Sequence, residues 1–236
     1  MNNDKKLKVY LGSLYLLIIT LFLWFFFDNF SIEEVTNYDF LRKNRDFFLG
    51  LRQDNLFLTL LLFFLFSILW VLLLGFGSPV ALVAGFIFGN WVGTLVVAIS
   101  LSTGATLLYL FANFFLKEII QNKFEKKFFY LREKFKKNKF FYFLIYRFVG
   151  SIPFFIANIL PVLFDVKKTN YFFGTFLGIL PQLFIISSLG SGFENIISKN
   201  LTPPSLLEIA LSKEIYLPIS GFLILILIVF LVKKKF

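Results

Sequence analysis

Apolar runs long enough to cross a lipid bilayer recur along this chain, over about residues 9–27, 56–74, 94–116, 171–190 and 216–232. A transmembrane helix needs about 20 predominantly apolar residues. Apolar residues make up 58% of the 236 and charged residues only 16%, with 37 Phe and a mean hydropathy of +0.80. A soluble protein of this size cannot bury so much apolar surface. We therefore predict an all-α polytopic membrane protein with about four to five spans.

The composition also excludes several kinds of active site. The chain has no Cys and no His, which excludes disulfides, thiol catalysis, Cys- or His-ligated zinc and His-based catalytic triads. Carboxylates do not cluster inside the apolar runs, so no acid–base pair for a lipid-modifying enzyme is recognisable. We predict that the protein is not an enzyme and uses no cofactor or metal.

The net charge of +10 lies mainly in the polar segments, above all in residues 117–139, with nine basic residues against three acidic ones. Apolar residues recur there at helical spacing, which predicts a basic amphipathic helix on a surface of anionic lipid head groups. The positive-inside rule predicts that this loop and the tail Lys233–Lys235 are cytoplasmic, and it leaves the side of the N-terminus open. The predicted partners are membrane lipids and not nucleic acid, and a homo-oligomer is left open.

Two apolar pieces are too irregular for plain spans. Pro79 to Trp91 is only about 13 residues long, and Phe140 to Phe164 is interrupted by Gly150, Pro153 and Pro161. Paired broken segments in two halves of a chain are typical of inverted repeats with a site at the membrane midplane. We predict two re-entrant or broken helical hairpins in an inverted repeat.

These segments divide the chain into three parts. Residues 1–55 are predicted to form a retained transmembrane anchor and a polar linker with a short interfacial helix, since no small-residue cleavage site follows the first apolar run. Residues 56–192 form the membrane domain, with two broken-hairpin halves joined by the basic helix 117–139. Residues 193–236 form a loop and a C-terminal transmembrane helix.

Arg147 stands alone in about 25 apolar residues, where a charge costs at least about 2.5–3.5 kcal/mol unless it is paired or hydrated. One interpretation is that its long side chain snorkels to the interface, since it is only eight residues beyond Lys139. The other is a guanidinium that binds phosphate or carboxylate in a polar cavity. Gly150, Pro153 and Asn158 favour the second, because backbone freed by a helix break is tolerated at depth only where it lines protein or water.

A stripe of small residues, Ala81, Gly85, Gly89 and Gly93, recurs every four positions in the first half. On a continuous helix this stripe predicts close helix packing. At a hairpin tip the same glycines would let the backbone approach a ligand, so both interpretations stay open. Small and breaking residues return in the second half at Gly174, Thr175, Gly178 and Pro181.

One block of this sequence runs from Pro79 to Gly104-Ala105, and a second runs from Arg147 through Pro153 and Asn158 to Gly174-Thr175 and Gly178-Ile-Leu-Pro181. Together the two blocks resemble the signature of the VTT-domain family. These are the SNARE-associated Golgi proteins of the DedA superfamily. The resemblance covers about residues 75–192. It implies a membrane domain with two re-entrant hairpins and, for several members, movement of phospholipids or polyprenyl-phosphate lipids between leaflets.

The chain departs from the family pattern at three places. Asn113 stands where members often carry an Arg, and Gly150 stands where they commonly have a Pro. Residues 79–91 contain none of the acids to which proton coupling is ascribed in the DedA branch, which puts such coupling in doubt.

The resulting hypothesis is a protein that moves phospholipid or polyprenyl-phosphate lipids between leaflets through a groove lined by Arg147 and the broken hairpins. Passive scrambling and ion-coupled transport both stay open. The alternative is a structural or assembly protein that supports membrane homeostasis without transport. A composition rich in Lys, Asn and Phe predicts the inner membrane of a bacterium. The predicted lipid-binding residues are Arg147, Gly150, Pro153, Asn158, Pro79, Gly85, Gly89, Gly174, Thr175, Gly178 and Pro181.

Overall fold

The computed structural model describes residues 3–29, 38–115, 117–118, 139–149 and 152–199, with single residues or short pieces at 213, 216, 219–221 and 223–224. Every regular element in these ranges is a helix, which confirms the all-α class. Most of the predicted basic helix and of the C-terminal transmembrane helix lies outside the described residues.

Eight α-helices and one 3-10 helix carry the described fold. They are α1 (Asn3–Asn29), α2 (Tyr38–Lys43), α3 (Arg45–Asp54), α4 (Leu56–Leu72), α5 (Gly77–Phe115), α6 (Lys139–Val149), α7 (Phe154–Ile159), the 3-10 helix Leu160–Phe164, and α8 (Lys168–Ser198).

Among the described helices, α5 and α8 are long and apolar enough to cross a membrane, and α3 with α4 makes a third candidate if this pair, bent by 118°, is one span. Their outward faces are apolar. Phe57 on α4 is 77% exposed and Trp24 on α1 is 67% exposed, as expected of side chains that face lipid. The protein is therefore embedded in a membrane, and the full number of spans stays a prediction.

Helix α5 reverses direction at Gly89, whose φ of 79° and ψ of 173° lie in a region that only glycine adopts readily. A Cβ added to Gly93 would fall 2.6 Å from the carbonyl oxygen of Ala84, and one on Gly77 would fall 3.2 Å from Leu101. On a straight helix Ala84 and Gly93 would lie about 13 Å apart, and Gly77 and Leu101 would lie about 36 Å apart. Both contacts therefore require the chain to fold back. Residues 77–88 and 90–115 are thus the two arms of the first hairpin.

This reversal corrects the idea of a continuous small-residue stripe on one helix. Gly89 forms the turn, while Gly93 faces Ala84 inside the hairpin. Gly85 faces outward against the backbone of Ser187 on α8. Close packing and a hairpin turn are therefore both present, at different glycines.

The second interrupted piece also folds back. The hydroxyl of Tyr146 on α6 donates to the carbonyl oxygen of Ala157 on α7 at 3.2 Å, a contact that a straight helix cannot make. The turn between them includes Pro153, which precedes α7, whereas Gly150 lies outside the described residues. Residues 139–149 and 154–164 are the two arms of this second hairpin.

Helix α8 is the central helix against which both hairpins pack. Its N-terminal half contacts α6, where a Cβ on Gly174 would fall 2.7 Å from Phe143. Its C-terminal half contacts the first hairpin, where the backbone of Gly190 abuts that of Leu82. Glycine allows this close approach because any side chain there would separate the helices.

Candidate functional site

Arg147 is only 3% exposed and points into the protein. Its Nη2 donates to the hydroxyl of Tyr171 at 2.5 Å, and three aromatic rings surround the guanidinium. The guanidinium carbon lies 5.1 Å from the ring centre of Tyr171, 5.2 Å from that of Phe143 and 5.9 Å from that of Phe154. The side chain does not reach outward, so snorkelling does not describe it.

Helix α8 forms one side of this site. Tyr171, Thr175 and Gly178 recur at helical spacing and share the face that packs on α6. A Cβ on Gly178 would fall 2.5 Å from the Cβ of Arg147 and 3.1 Å from the carbonyl oxygen of Leu144. Gly178 therefore lets α6 sit close enough for Arg147 to lie over α8.

Tyr171 links the arginine to the second arm of the hairpin. Its hydroxyl donates to the main-chain carbonyl of Asn158 at 2.9 Å, and its ring stacks on that of Tyr109 at 4.4 Å between centres. The hydroxyl of Tyr109 in turn donates to the carbonyl of Val166 at 2.7 Å. The orientation of Arg147 is thus fixed by hydroxyls and aromatic rings.

Several buried polar atoms around Arg147 have no hydrogen-bond partner within the described part of the chain. They are Nε and Nη1 of Arg147, both side-chain polar atoms of Asn158, and Oγ1 of Thr175. Asn158 and Thr175 are fully buried. Buried polar atoms are nearly always hydrogen-bonded, because leaving one unpaired costs about 1–3 kcal/mol. Thr175 shares the α8 face of Tyr171, and the main chain of Asn158 is bonded to Tyr171, so these unpaired atoms lie in the same part of the fold as Arg147.

The chemistry of this group suits an anion with several acceptor oxygens. Arg147 has a positive charge and free N–H donors, the amide of Asn158 adds two more donors, and the hydroxyl of Thr175 adds one. The described residues contain no group of three or more acidic side chains that could hold a metal ion. We call Arg147, Asn158, Tyr171 and Thr175 the arginine site.

The structure brings together five of the residues predicted from sequence, all in the second half of the chain. Arg147, Asn158, Gly174, Thr175 and Gly178 lie around the α6–α8 contact. The other predicted residues lie elsewhere: Pro79 near the start of the first hairpin, Gly85 against Ser187, Gly89 at the first turn, Pro153 at the second turn and Pro181 in the middle of α8.

Both hairpin turns come close to the middle of α8. The side-chain amide of Gln182 donates to the carbonyl of Phe148 at 2.8 Å. Trp91, two residues beyond Gly89, lies 4.7 Å from Phe184 between ring centres. Phe148 and Trp91, one from each hairpin, therefore contact positions on α8 that are two residues apart.

Sequence reasoning missed Tyr171, which joins three parts of the site. The spacing in the sequence could have identified Tyr171, since it lies four residues before Thr175 and seven before Gly178, on the same helix face. Two ion pairs outside the arginine site also join segments that are distant in sequence. Glu194 pairs with Arg45 of α3 at 3.0 Å, and Asp165 pairs with Lys117 at 2.7 Å while 44% of its side chain is exposed.

Comparison with known proteins agrees with this architecture. The profile of the VTT domain matches residues 75–192. The Transmembrane protein 41 homolog of Caenorhabditis elegans is 26% identical over 175 residues, which cover 71% of this chain and 68% of that protein. The homolog of the same name in Dictyostelium discoideum is 25% identical over 151 residues, which cover 61% of this chain but only 44% of that protein. No solved structure matches significantly. The matched region contains both hairpin turns and the whole arginine site, and the chain belongs to the VTT domain family.

Proposed function

We propose that this protein moves membrane lipids between the two leaflets and that the arginine site binds the phosphate of the lipid head group during passage. The observation that carries the proposal is a buried guanidinium whose Nε and Nη1, together with Asn158 and Thr175, have no partner among the described residues. Burying an unpaired charge is costly, and cation–π contacts with surrounding rings offset only part of that cost. An anionic head group would supply the missing interactions.

The electrostatics of the site favour phosphate chemistry. No acidic side chain is paired with Arg147 in the described chain, so its positive charge stays available. Phosphate oxygens are strong acceptors for guanidinium, amide and hydroxyl donors. Both a phospholipid and a polyprenyl phosphate carry such a group, and the acyl or prenyl tails would stay in the bilayer against the apolar exterior.

The two hairpins support a path across the membrane. We take residues 77–115 and 139–164 as re-entrant pieces of an inverted repeat, with their turns at the membrane midplane. The approach of Trp91 to Phe184 and of Phe148 to Gln182 supports this arrangement, because both turns meet the middle of the same helix. Transporters with inverted repeats bind substrate where such broken helices meet.

The site as described is closed. Arg147, Asn158, Tyr171 and Thr175 are all less than 4% exposed, so a head group cannot enter without movement of the surrounding helices. The proposal therefore includes an open conformation in which α6 and α7 separate from α8. Exchange between closed and open states is the usual basis of gated passage.

We retain the cytoplasmic side for the basic segment 117–139 and the C-terminus. Lys117 lies two residues beyond the end of α5, and Lys167 and Lys168 lie at the start of α8. The pairing of Lys117 with Asp165 brings these two ends together. Such a basic end is typical of the cytoplasmic face. The bacterial inner membrane rests on composition alone, and the relatives named above are from eukaryotes.

The alternative of a structural or assembly protein also has support, in the close glycine packing of Gly85 and Gly190 across α5 and α8. Packing alone does not explain why polar atoms stay unpaired beside Arg147. The two functions differ in a measurable way, because only a lipid carrier exchanges lipids by itself in vesicles.

The test is reconstitution of the purified chain into liposomes that contain either a fluorescent phospholipid or a labelled polyprenyl phosphate in both leaflets. Chemical quenching of the outer leaflet then reports exchange. We expect the protein to make the inner-leaflet label accessible for at least one lipid, well above protein-free liposomes. Absence of exchange for both lipids would contradict the proposed function and favour the assembly alternative.

A further inference from the structure

The turn of the first hairpin is held by an arginine from a different helix. Nη1 of Arg52, near the end of α3, donates to the main-chain carbonyl of Ile87 at 3.1 Å. Ile87 lies two residues before Gly89. In the same region Phe48 of α3 meets Phe86 edge-on, with ring centres 6.2 Å apart.

The break at Gly89 explains why Ile87 needs a partner. In an unbroken helix the carbonyl of Ile87 would accept from the amide of Trp91, four residues on. Here that amide donates to the side chain of Asn90 at 2.9 Å. A carbonyl freed in this way inside a membrane protein must find another donor. Arg52 supplies it, and a cation at the C-terminal end of a helix also complements the helix dipole.

Helix α3 is itself held firmly enough to act as a support. Arg45 pairs with Glu194 on α8 at 3.0 Å, which ties the start of α3 to the central helix. At the other end, Asn55 caps α4 through the amide of Leu58, and the hydroxyl of Thr59 donates to the carbonyl of Leu51 at 2.5 Å. These bonds fix the 118° corner between α3 and α4.

We propose that Arg52 is a positioning residue that holds the turn of the first hairpin against α8, where that turn forms one wall of the lipid path. This inference rests on the proposed function for its purpose, but the holding of the turn is testable without transport. Arg52 is an exposed residue, so we take the lower end of the range for a hydrogen bond from a charged group, roughly a tenfold change in an equilibrium constant. Without Arg52 the turn should open about ten times more often.

Hydrogen exchange measured by mass spectrometry reports this opening directly, because it gives the exchange rates of the backbone amides at residues 86–94 around the turn. Three variants are compared with wild type in nanodiscs of phosphatidylcholine alone and of phosphatidylcholine with phosphatidylglycerol. Arg52→Gln removes the charge, Arg52→Lys keeps it, and Arg42→Gln changes another exposed arginine, on neighbouring α2.

We expect Arg52→Gln to speed exchange at residues 86–94 about tenfold in both lipid mixtures, Arg52→Lys to restore part of the protection, and Arg42→Gln to match wild type. Unchanged exchange at the turn in Arg52→Gln would overturn the inference. So would a change seen only with phosphatidylglycerol, because Arg52 would then act as an anchor for anionic lipid head groups.

The same variants are assayed for leaflet exchange. We expect Arg52→Gln to lower the rate about tenfold and Arg52→Lys to restore part of it. A loosened turn with an undiminished rate would overturn the role in the lipid path. Failure of wild type to exchange any lipid is a different result, since it contradicts the proposed function while the exchange data at the turn still decide whether Arg52 holds it.

Discussion

Tyr171 orients Arg147 without neutralising it. The hydroxyl accepts from Nη2 at 2.5 Å and the ring lies 5.1 Å from the guanidinium carbon, so the side chain is fixed in direction. A carboxylate in the same place would neutralise the positive charge of Arg147, whereas a neutral phenol leaves that charge available for an anion. This arrangement is the one that the proposed phosphate site requires.

Tyr171→Phe should destabilise the protein by about 1.5–3 kcal/mol, because Nη2 of Arg147 and the carbonyl of Asn158 would both lose a buried partner. Thermal unfolding in detergent measures the effect. Tyr109→Phe is the matched control, since it removes one bond to a neutral carbonyl, and its loss should be smaller. Equal losses in the two variants would mean that Tyr171 does not hold the arginine.

Thr175→Val should raise thermal stability by about 1 kcal/mol and slow leaflet exchange. The hydroxyl of Thr175 is buried without a partner among the described residues, so an apolar residue of similar shape removes a desolvation cost. If that hydroxyl serves the head group, the same change removes a contact needed for passage.

The control for this variant is Ser188→Ala on α8, which also removes a buried hydroxyl that lacks a partner in the described chain, 13 residues and about 20 Å along the helix from Thr175. It should leave the exchange rate unchanged. If the Thr175→Val protein exchanged lipids at the wild-type rate, Thr175 would not be part of the lipid-binding site.

Gly178→Ala should destabilise by about 1–3 kcal/mol and reduce exchange, since the new Cβ would fall 2.5 Å from the Cβ of Arg147 and force α6 away from α8. Gly192→Ala lies on the same helix with nothing within 4 Å of the added Cβ, so it should be neutral or slightly stabilising. Thermal unfolding of both variants checks the difference, and similar melting temperatures would show that α6 and α8 do not pack as described.

Gly89→Ala tests the first hairpin through its backbone alone. An added Cβ meets nothing within 4 Å, yet the φ of 79° and ψ of 173° disfavour any residue with a side chain by about 1–3 kcal/mol. We expect a loss of stability of that size, measured by thermal unfolding. Gly50→Ala on α3, also with open space around it, should show no loss, and a stable Gly89→Ala would indicate that α5 is straight.

The breaks in the two apolar pieces and the unusual position of Arg147 were recognisable in the sequence because both are local anomalies. A charge in an apolar run and a 13-residue apolar piece conflict with plain spans, whatever the tertiary structure. The position of the first break at Gly89 was not predictable from the stripe, since Gly85 and Gly93 have the same spacing. Tertiary packing distinguishes them, because Gly85 and Gly93 have backbone neighbours and Gly89 has open space.

The contacts between distant segments were not predictable from one sequence. Nothing local indicates that Tyr171 bonds Arg147, that Arg52 reaches Ile87 or that Arg45 pairs with Glu194, which lie 24, 35 and 149 residues apart. These pairings depend on how α3, α6 and α8 pack.

The central claim is that the charge of Arg147 binds the lipid phosphate, and leaflet exchange by Arg147→Gln in liposomes tests it most directly. Gln keeps hydrogen-bonding capacity and removes the charge, and thermal unfolding shows whether the variant is folded. We predict a folded protein whose exchange rate falls at least about tenfold, with partial recovery in Arg147→Lys. A folded Arg147→Gln protein that exchanges lipid at the wild-type rate would contradict the account.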